Sequence, residues 1–475
     1  MITFIVAIAV LIAGYFLYGR FIERFFGADS GSKTPAVSMA DGVDFIPMPA
    51  WKIFIIQFLN IAGLGPIFGA VLGAVYGPAA YIWIVLGCIF MGAVHDYFSG
   101  MLSIRKNGAS LPELVSTYLG NGTKVFLRFF TLILLIFVGV AFVSGPARLL
   151  ETITGGGYVV WLYVVFVYYI LATLLPINKI IGRIYPVFGV LLLLMAVLIG
   201  GSLVLKGANG SLHLTELSFY SLRQAATGQH AHLLFPVMFI VVSCGAISGF
   251  HATQSPMMAR CMKNEKHGRP AFYGAMIAEG IVTLIWATAA MNYFGNTDGL
   301  HSVLAHHDPA WVVNEISRSW LGQTGAVLAI IGVIVCPITT GDTAFRSARL
   351  TVADIFSFSQ ASVKNRLIVS IPIFVLGFVL TFVLSNQFGT VWKFVGISNQ
   401  ILACIVLWTA AMYLVLKKKF HWLVSVPALL LTFVCFSYLM LAPVKTGGLN
   451  LAATPGIIVA AVLSLVVLLA WVIKV

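Results

Sequence analysis

The chain has 475 residues, of which 60% are hydrophobic and only 9% charged, against roughly 25% charged in a soluble globular protein. This excludes a soluble domain and indicates an all-α polytopic membrane protein whose one large core is a helix bundle. The formal net charge of +13 does not point to nucleic acid, because the basic residues cluster in short loops between apolar runs, as the positive-inside rule expects.

A membrane span needs about 20 mostly apolar residues. In chain order that test predicts about thirteen transmembrane helices: 2–19, 51–75, 79–102, 126–147, 158–175, 184–205, 233–257, 271–294, 324–346, 367–385, 390–416, 421–441 and 454–474. Met1–Gly19 has no basic residue before its apolar core and no small-x-small cleavage site, and Arg20 and Arg24 follow it. It is expected to be retained as the first span. The longest connections, 20–50, 103–125, 206–232 and 295–323, are too short for a separate soluble domain.

The loops 258–270 and 343–366, the run Lys417–Lys419 and the loops 20–33 and 103–128 are all basic. They share one side if thirteen spans are counted with the N-terminus outside and the C-terminus cytoplasmic. By that count about 22 of the 28 Lys and Arg residues lie inside.

Two spans are interrupted. The second is broken at Asn60-Ile-Ala-Gly-Leu-Gly-Pro66, and the seventh at Ser243–Pro256, where Gly245, Ser248, Gly249, His251, Thr253, Gln254, Ser255 and Pro256 follow an apolar run. Gly and Pro weaken helices, and hydroxyls offer the backbone other partners. A helix that opens at bilayer depth leaves peptide groups unpaired unless it lines a cavity. Four whole spans separate the two interruptions, so each opens a group of five spans, and the two groups are inverted. Paired interruptions of this kind point to an inverted-repeat transporter with its site at the midplane. The expected organisation is an extra helix and cytoplasmic loop over 1–50, five-helix repeats over 51–205 and 206–416, and two C-terminal helices over 417–475.

Charged groups at mid-membrane cost about 2.5–3.5 kcal/mol each on insertion scales, so those present tend to face a cavity or a partner. The candidates are His95, Asp96, His251, Glu279 and Asp342, with the amide pair Asn399-Gln400. Asp342 and Arg346 are neighbours on one helix face, continued by Arg349. They form a structural ion pair or a proton-handling carboxylate with its counter-charge. Thr339 and Thr340 lie one turn earlier and could equally hold a sodium ion. His95, Asp96 and His251 suit zinc or a similar ion by ligand type, but no three ligands are spaced along one helix face. An intramembrane His otherwise sits in a helix contact or a proton relay. Glu279 either joins such a relay or caps a polar helix contact, and Asn399-Gln400 suits interhelical hydrogen bonding.

The six cysteines, at positions 88, 244, 261, 336, 404 and 435, form no C-x-x-C pair, so neither a disulfide framework nor a zinc ribbon is expected. No G-x-x-x-x-G-K-[ST] loop occurs, which argues against ATP-driven transport by this chain alone. No cofactor and no nucleic-acid partner are expected.

Six motifs occur in order over roughly residues 40 to 410: Asp41-Gly-Val-Asp-Phe-Ile-Pro47, Ile61-Ala-Gly-Leu-Gly-Pro66, Gly92-Ala-Val-His-Asp96, Cys244-Gly-Ala-Ile-Ser-Gly-Phe-His251, Asp342-Thr-Ala-Phe-Arg-Ser-Ala-Arg349 and Gly396-Ile-Ser-Asn-Gln-Ile-Leu-Ala403. This set resembles the carbon starvation protein A family of bacterial inner-membrane transporters. The resemblance implies a LeuT/APC-like bundle of five-plus-five inverted repeats and uptake of peptides or pyruvate, driven by protons. Ile56-Gln57 stand where the family commonly carries two histidines, and Ala252–Met258 departs from the family's hydroxyl-rich run.

The combined expectation is a secondary transporter. Asn60, Gly63, Gly65, Ser248, Gly249, His251, Gln254, Asn399 and Gln400 shape its substrate site. Asp342 carries the proton with Arg346 beside it, and Thr339, Thr340, His95, Asp96 and Glu279 assist coupling. Sodium coupling is the alternative within that class. A membrane-embedded metal-dependent hydrolase built on His95, Asp96 and His251, and a nutrient sensor, are the readings of other classes.

Overall fold

Apolar side chains drive this chain into lipid, where every peptide group must find an internal partner, and α-helices are the result. The computed structural model describes residues 1–42, 44–174, 184–227, 234–360, 362–384 and 387–474, and no strand occurs among them. The long helices are α1 (Ile2–Phe26), α2a (Ala50–Ile61) with α2b (Gly65–Tyr76), α3 (Ala79–Arg105), then the short α4 (Leu111–Leu119). There follow α5 (Asn121–Thr154), α6 (Tyr158–Leu174), α7 (Tyr185–Ala208) and the short α8 (Phe219–Thr227). The second interrupted run is three short helices, α9a (Val237–Val241), α9b (Ser243–Ala246) and α9c (His251–Ala259). The chain continues through α10 (Glu265–Tyr293), the short α11 (Thr297–Leu304), α12 (Pro309–Phe356), α13 (Val363–Val383), α14 (Phe388–Leu416), α15 (Trp422–Leu441) and α16 (Ala453–Lys474).

Among the described residues ten helices are long and apolar enough to cross a membrane, or eleven when the pair α2a and α2b, bent by 54°, is taken as one span. Two of the thirteen expected runs fall short of that length as helices. One is α6, with 17 residues; the other is the α9 series. The expected end of the fifth run at 175 and the start of the seventh at 233 lie outside the described residues. The first span runs on to Phe26 rather than stopping at Gly19, because residues 18–26 remain helical past the apolar stretch. The expected loops 103–125, 206–232 and 295–323 carry the helices α4, α8 and α11, and α12 begins at Pro309, well before the expected span at 324. Gly322, at φ 67°, kinks α12 between those two points.

The bundle is layered. In α3 and α10, 83% of the most apolar stretch is buried, against 22% in α1 and α16. α3 and α10 therefore form the centre and α1 and α16 the rim. Lipid supplies no hydrophobic drive between helices, so close backbone approach at small residues does the packing. The α-carbon of Gly87 faces the Ala246 side chain, and that of Gly280 faces Cys88. α9c lies along α3, α12 along α5 and α7, and α2a against α7 and α10.

Candidate functional site

The first interruption spans Ala62–Leu64, where the backbone leaves the helix at Ala62 (φ −74°, ψ 41°). The freed Ala62 carbonyl oxygen accepts from the Cys336 thiol of α12, and the freed Leu59 carbonyl oxygen lies 3.3 Å from the Thr340 hydroxyl, whose shorter contact is to the Cys336 carbonyl oxygen. The second interruption spans Ile247–Phe250 and is narrower than the predicted Ser243–Pro256, since His251–Ala259 is helical even through Pro256. Its freed Gly249 N–H donates to the Asn399 carbonyl oxygen of α14 at 3.0 Å. The two breaks are thus satisfied by opposite groups, carbonyls at one and an amide at the other, as membrane-buried irregular backbone requires.

The breaks meet. A Cβ on Gly65 would run into the Cβ and Sγ of Cys244, and one on Gly249 into the backbone of Asn399 and Ala403. Ile61, Gly65, Phe142, Cys244, Phe250, Trp392 and Asn399 line a closed cavity between them with about 10 Å³ of free space, room for roughly one water. We expect Gly65→Ala to lower thermal stability in detergent by about 1–3 kcal/mol through overpacking, and Cys244→Gly in the same chain to recover part of it. A Gly65→Ala chain as stable as the parent would show that the breaks do not need this contact.

Polar side chains with no hydrogen-bond partner among the described residues collect on these elements: both side-chain atoms of Gln57 and Asn60 on α2a, Ser248 Oγ at the second break, Gln254 Oε1 on α9c, and Asn399 Oδ1 and Gln400 Oε1 on α14. All six residues are buried. Leaving such a group unsatisfied costs about 1–3 kcal/mol, and these six residues lie on the elements that carry or contact the two breaks. The remaining donors are used internally. Gln254 Nε2 lies 2.7 Å from Thr253 Oγ1, and Gln400 Nε2 donates to the Phe239 carbonyl oxygen at 3.0 Å. Gly63 packs against Phe142 and the Thr340 methyl.

Four ionisable side chains form one fully buried chain beside the second break. Asp96 on α3 takes His95 Nδ1 on Oδ1 at 2.8 Å and His251 Nδ1 on Oδ2 at 2.9 Å; His251 Nε2 lies 3.4 Å from Glu279 Oε2 on α10. All four have 0% exposed side chains. Because Asp96 accepts at both oxygens, the Nδ1 atom of each imidazole carries hydrogen. His251 Nε2 and the Glu279 carboxylate face each other at 3.4 Å, and neither has a hydrogen-bond partner among the described residues. His95 and Asp96 are adjacent on α3, and the break in α9 places His251 on the same carboxylate. Ser99 Oγ donates to Ser255 Oγ at 3.2 Å, and Ser255 Oγ donates to the His251 carbonyl oxygen at 3.0 Å, which fixes α9c against α3.

His95, Asp96 and His251 do come together, but both imidazoles spend Nδ1 on the carboxylate. Among the described residues no group of three or more His, Cys, Asp or Glu is arranged to hold a metal ion.

Asp342 belongs to a second buried centre, between α12 and α7. Its Oδ2 accepts from the Tyr185 hydroxyl at 2.6 Å. Arg346 Nη2 donates to the Ala172 carbonyl oxygen at 2.6 Å. Thr339 and Thr340 hydroxyls donate back to the Cys336 carbonyl oxygen at 2.7 and 3.0 Å. Tyr185 and Cys244 went unflagged by the sequence reading as individual site residues, because a tyrosine at a span's start and a cysteine in an apolar run carry no pattern of their own.

The family model described as carbon starvation protein CstA matches residues 1–203, 147–297 and 294–438. An uncharacterized membrane protein of Haemophilus influenzae is 44% identical over 353 residues, covering 64% of this chain and 94% of that one. The pyruvate/proton symporter BtsT of Escherichia coli is 27% identical over 350 residues, which is 60% of this chain but only 48% of the symporter. The peptide transporter CstA of Bacillus subtilis is 25% identical over 508 residues, 85% of this chain and 83% of that one. Among solved structures, MhsT in complex with L-phenylalanine superposes with a TM-score of 0.54 at 15% identity, over 88% of this chain and 98% of that one, a LeuT-like likeness of fold.

Proposed function

The chain belongs to the carbon starvation protein CstA family, and on that premise we propose that it is a proton-coupled secondary transporter importing peptides or pyruvate-like small carboxylates across the bacterial inner membrane. Its named relatives are transporters rather than enzymes. The observation that carries the proposal is the meeting of two interrupted helices beside a buried chain of four ionisable groups. Thirteen spans are reached when α6 and the α9 series are counted with the eleven longer ones. In that arrangement α2 and α9 each open a five-helix repeat and the second repeat is inverted, with the N-terminus outside and the C-terminus in the cytoplasm. The positive ends of the half-helices at the two breaks suit a substrate carboxylate, with Asn60, Gly63, Gly65, Ser248, Gly249, Gln254, Asn399 and Gln400 around it.

For the proton we favour the pair His251 and Glu279, with Asp96 and His95 beside it, because two buried ionisable side chains 3.4 Å apart next to the second break change the charge there when either gains or loses a proton. Asp342 with Tyr185 and Arg346 is the second proton-handling centre, and Asp342→Asn tests it: loss of uphill uptake with exchange retained would transfer the coupling role there. Sodium coupling is a second reading, supported by the Thr340 hydroxyl and the freed Leu59 carbonyl, 3.3 Å apart, since oxygen ligands of this kind suit a hard cation.

The test is uptake into proteoliposomes of labelled pyruvate, and separately of a labelled dipeptide, under an imposed pH gradient with a sodium gradient as control. We expect accumulation of one substrate that follows the pH gradient and collapses with a protonophore. Accumulation under the sodium gradient alone would replace the proton by sodium, and no accumulation under either would reject both substrates.

A further inference from the structure

Two adjoining cavities lie on the face carrying the basic loops, outside the cavity between the two breaks. The outer one is a bowl of about 500 Å³ lined by Ser110, Glu113, Arg260, Asp354 and Ser357 among others. The inner one is a constriction of about 30 Å³ lined by Ser110, Thr131, Thr253, Arg260, Ser347 and Thr351. Ser110 and Arg260 line both, so the cavities adjoin at these two residues. The inner end reaches α9c directly below the second break. It is plugged there by Ser347 Oγ, 3.4 Å from the Thr253 carbonyl oxygen, and by Gln254 Nε2, 3.5 Å from Ser347 Oγ. Gln254 is the same residue whose Oε1 is buried without a partner.

Arg260 stands at the junction. Its Nε donates to the Gly108 carbonyl oxygen at 2.9 Å and its guanidinium lies over the Phe45 ring, 5.2 Å from the centroid. Among the described residues no carboxylate comes within ion-pair distance of it. Glu113, which also lines the bowl, is taken by Lys124 and Arg128 at 2.5 and 2.8 Å. Asp354 interacts with Arg260 through space. A guanidinium held through Nε with its fork unspent, where a polar bowl narrows into a mostly apolar constriction, is suited to a planar organic anion.

We propose that these adjoining cavities form the route between the central site and the basic face, and that Arg260 is an anion-binding station within it, with Asp354 as the fixed negative charge that competes with a passing anion for Arg260. The proposal rests on the transport reading but is tested without any substrate. Ser110→Cys and Thr351→Cys chains are probed in sealed right-side-out and inverted vesicles with membrane-impermeant methanethiosulfonates, one anionic (sulfonatoethyl) and one cationic (trimethylammonioethyl). Rates are divided by those on a free small thiol.

Both cysteines are expected to react only from the basic face, and the anionic reagent to be favoured about three- to tenfold at Ser110→Cys. Arg260→Gln is expected to abolish that preference, Arg260→Lys to keep part of it, and Asp354→Asn to increase it. No reaction at Thr351→Cys from the basic face overturns the route. An anionic preference untouched by Arg260→Gln overturns the station. Failed uptake of pyruvate and dipeptide together with the expected labelling pattern would count against the substrates and leave the channel standing.

Discussion

Glu279→Gln should reduce pH-gradient-driven accumulation by on the order of 100-fold, the scale on which a positioned proton-transfer group acts, while counterflow exchange of the same substrate stays largely intact. The reason is geometric. Glu279 Oε2 is 3.4 Å from His251 Nε2, and neither side chain is exposed. A glutamine keeps the shape but has no carboxylate to take up or pass on a proton. Binding and the alternation of access do not require that transfer, whereas coupling to the gradient does. The measurement compares uphill uptake with exchange at zero gradient in the same vesicles. Full uphill accumulation by Glu279→Gln would remove this pair from the mechanism and leave Asp342 as the carboxylate to examine. Loss of exchange and uptake together would make Glu279 a structural group.

The largest stability effect is expected at Asp96. Its carboxylate accepts from two buried imidazoles on two different elements, at 2.8 and 2.9 Å. Asp96→Ala strands both donors in the low-dielectric centre of the bundle, and breaking a buried charged network in this way costs about 3–5 kcal/mol. Asp96→Asn keeps one acceptor oxygen but turns an N–H toward the other imidazole, so its loss should be smaller. Because His251 and Asp96 act as a unit, the chain carrying both Asp96→Ala and His251→Ala should lose less than the sum of the two single losses, by about 0.5–3 kcal/mol. Thermal unfolding of purified protein in detergent measures all four variants. Strictly additive losses would mean that the 2.9 Å contact contributes nothing beyond packing.

Much of the architecture was legible because lipid enforces it. An apolar run must be a helix to satisfy its peptide groups, so length and composition alone locate the long helices, and Gly and Pro in the wrong places locate the two breaks. Asn60, Gly63, Gly65, Ser248 and Gly249 could be named for that reason. The lengths of α1 and α12 were misjudged for the converse reason. Hydropathy ends where lipid ends, but helices continue into water when their residues permit, as at residues 18–26 and 309–321.

The sequence by itself determined that this is a helical membrane protein with two interrupted spans and a handful of ionisable groups it cannot leave in lipid. It did not determine which of those groups meet. His95 and Asp96 are adjacent in the chain, but His251 and Glu279 come from segments more than 150 residues away, and no spacing rule relates positions on different helices. Only the packing of α9c and α10 on α3 decided that His251 bridges Asp96 and Glu279, while Asp342 faces Tyr185. The physical reason is that helix periodicity fixes which residues share a face of one helix, whereas the pairing of faces is decided by where small residues let backbones approach, as at Gly65 with Cys244 and Gly249 with Asn399.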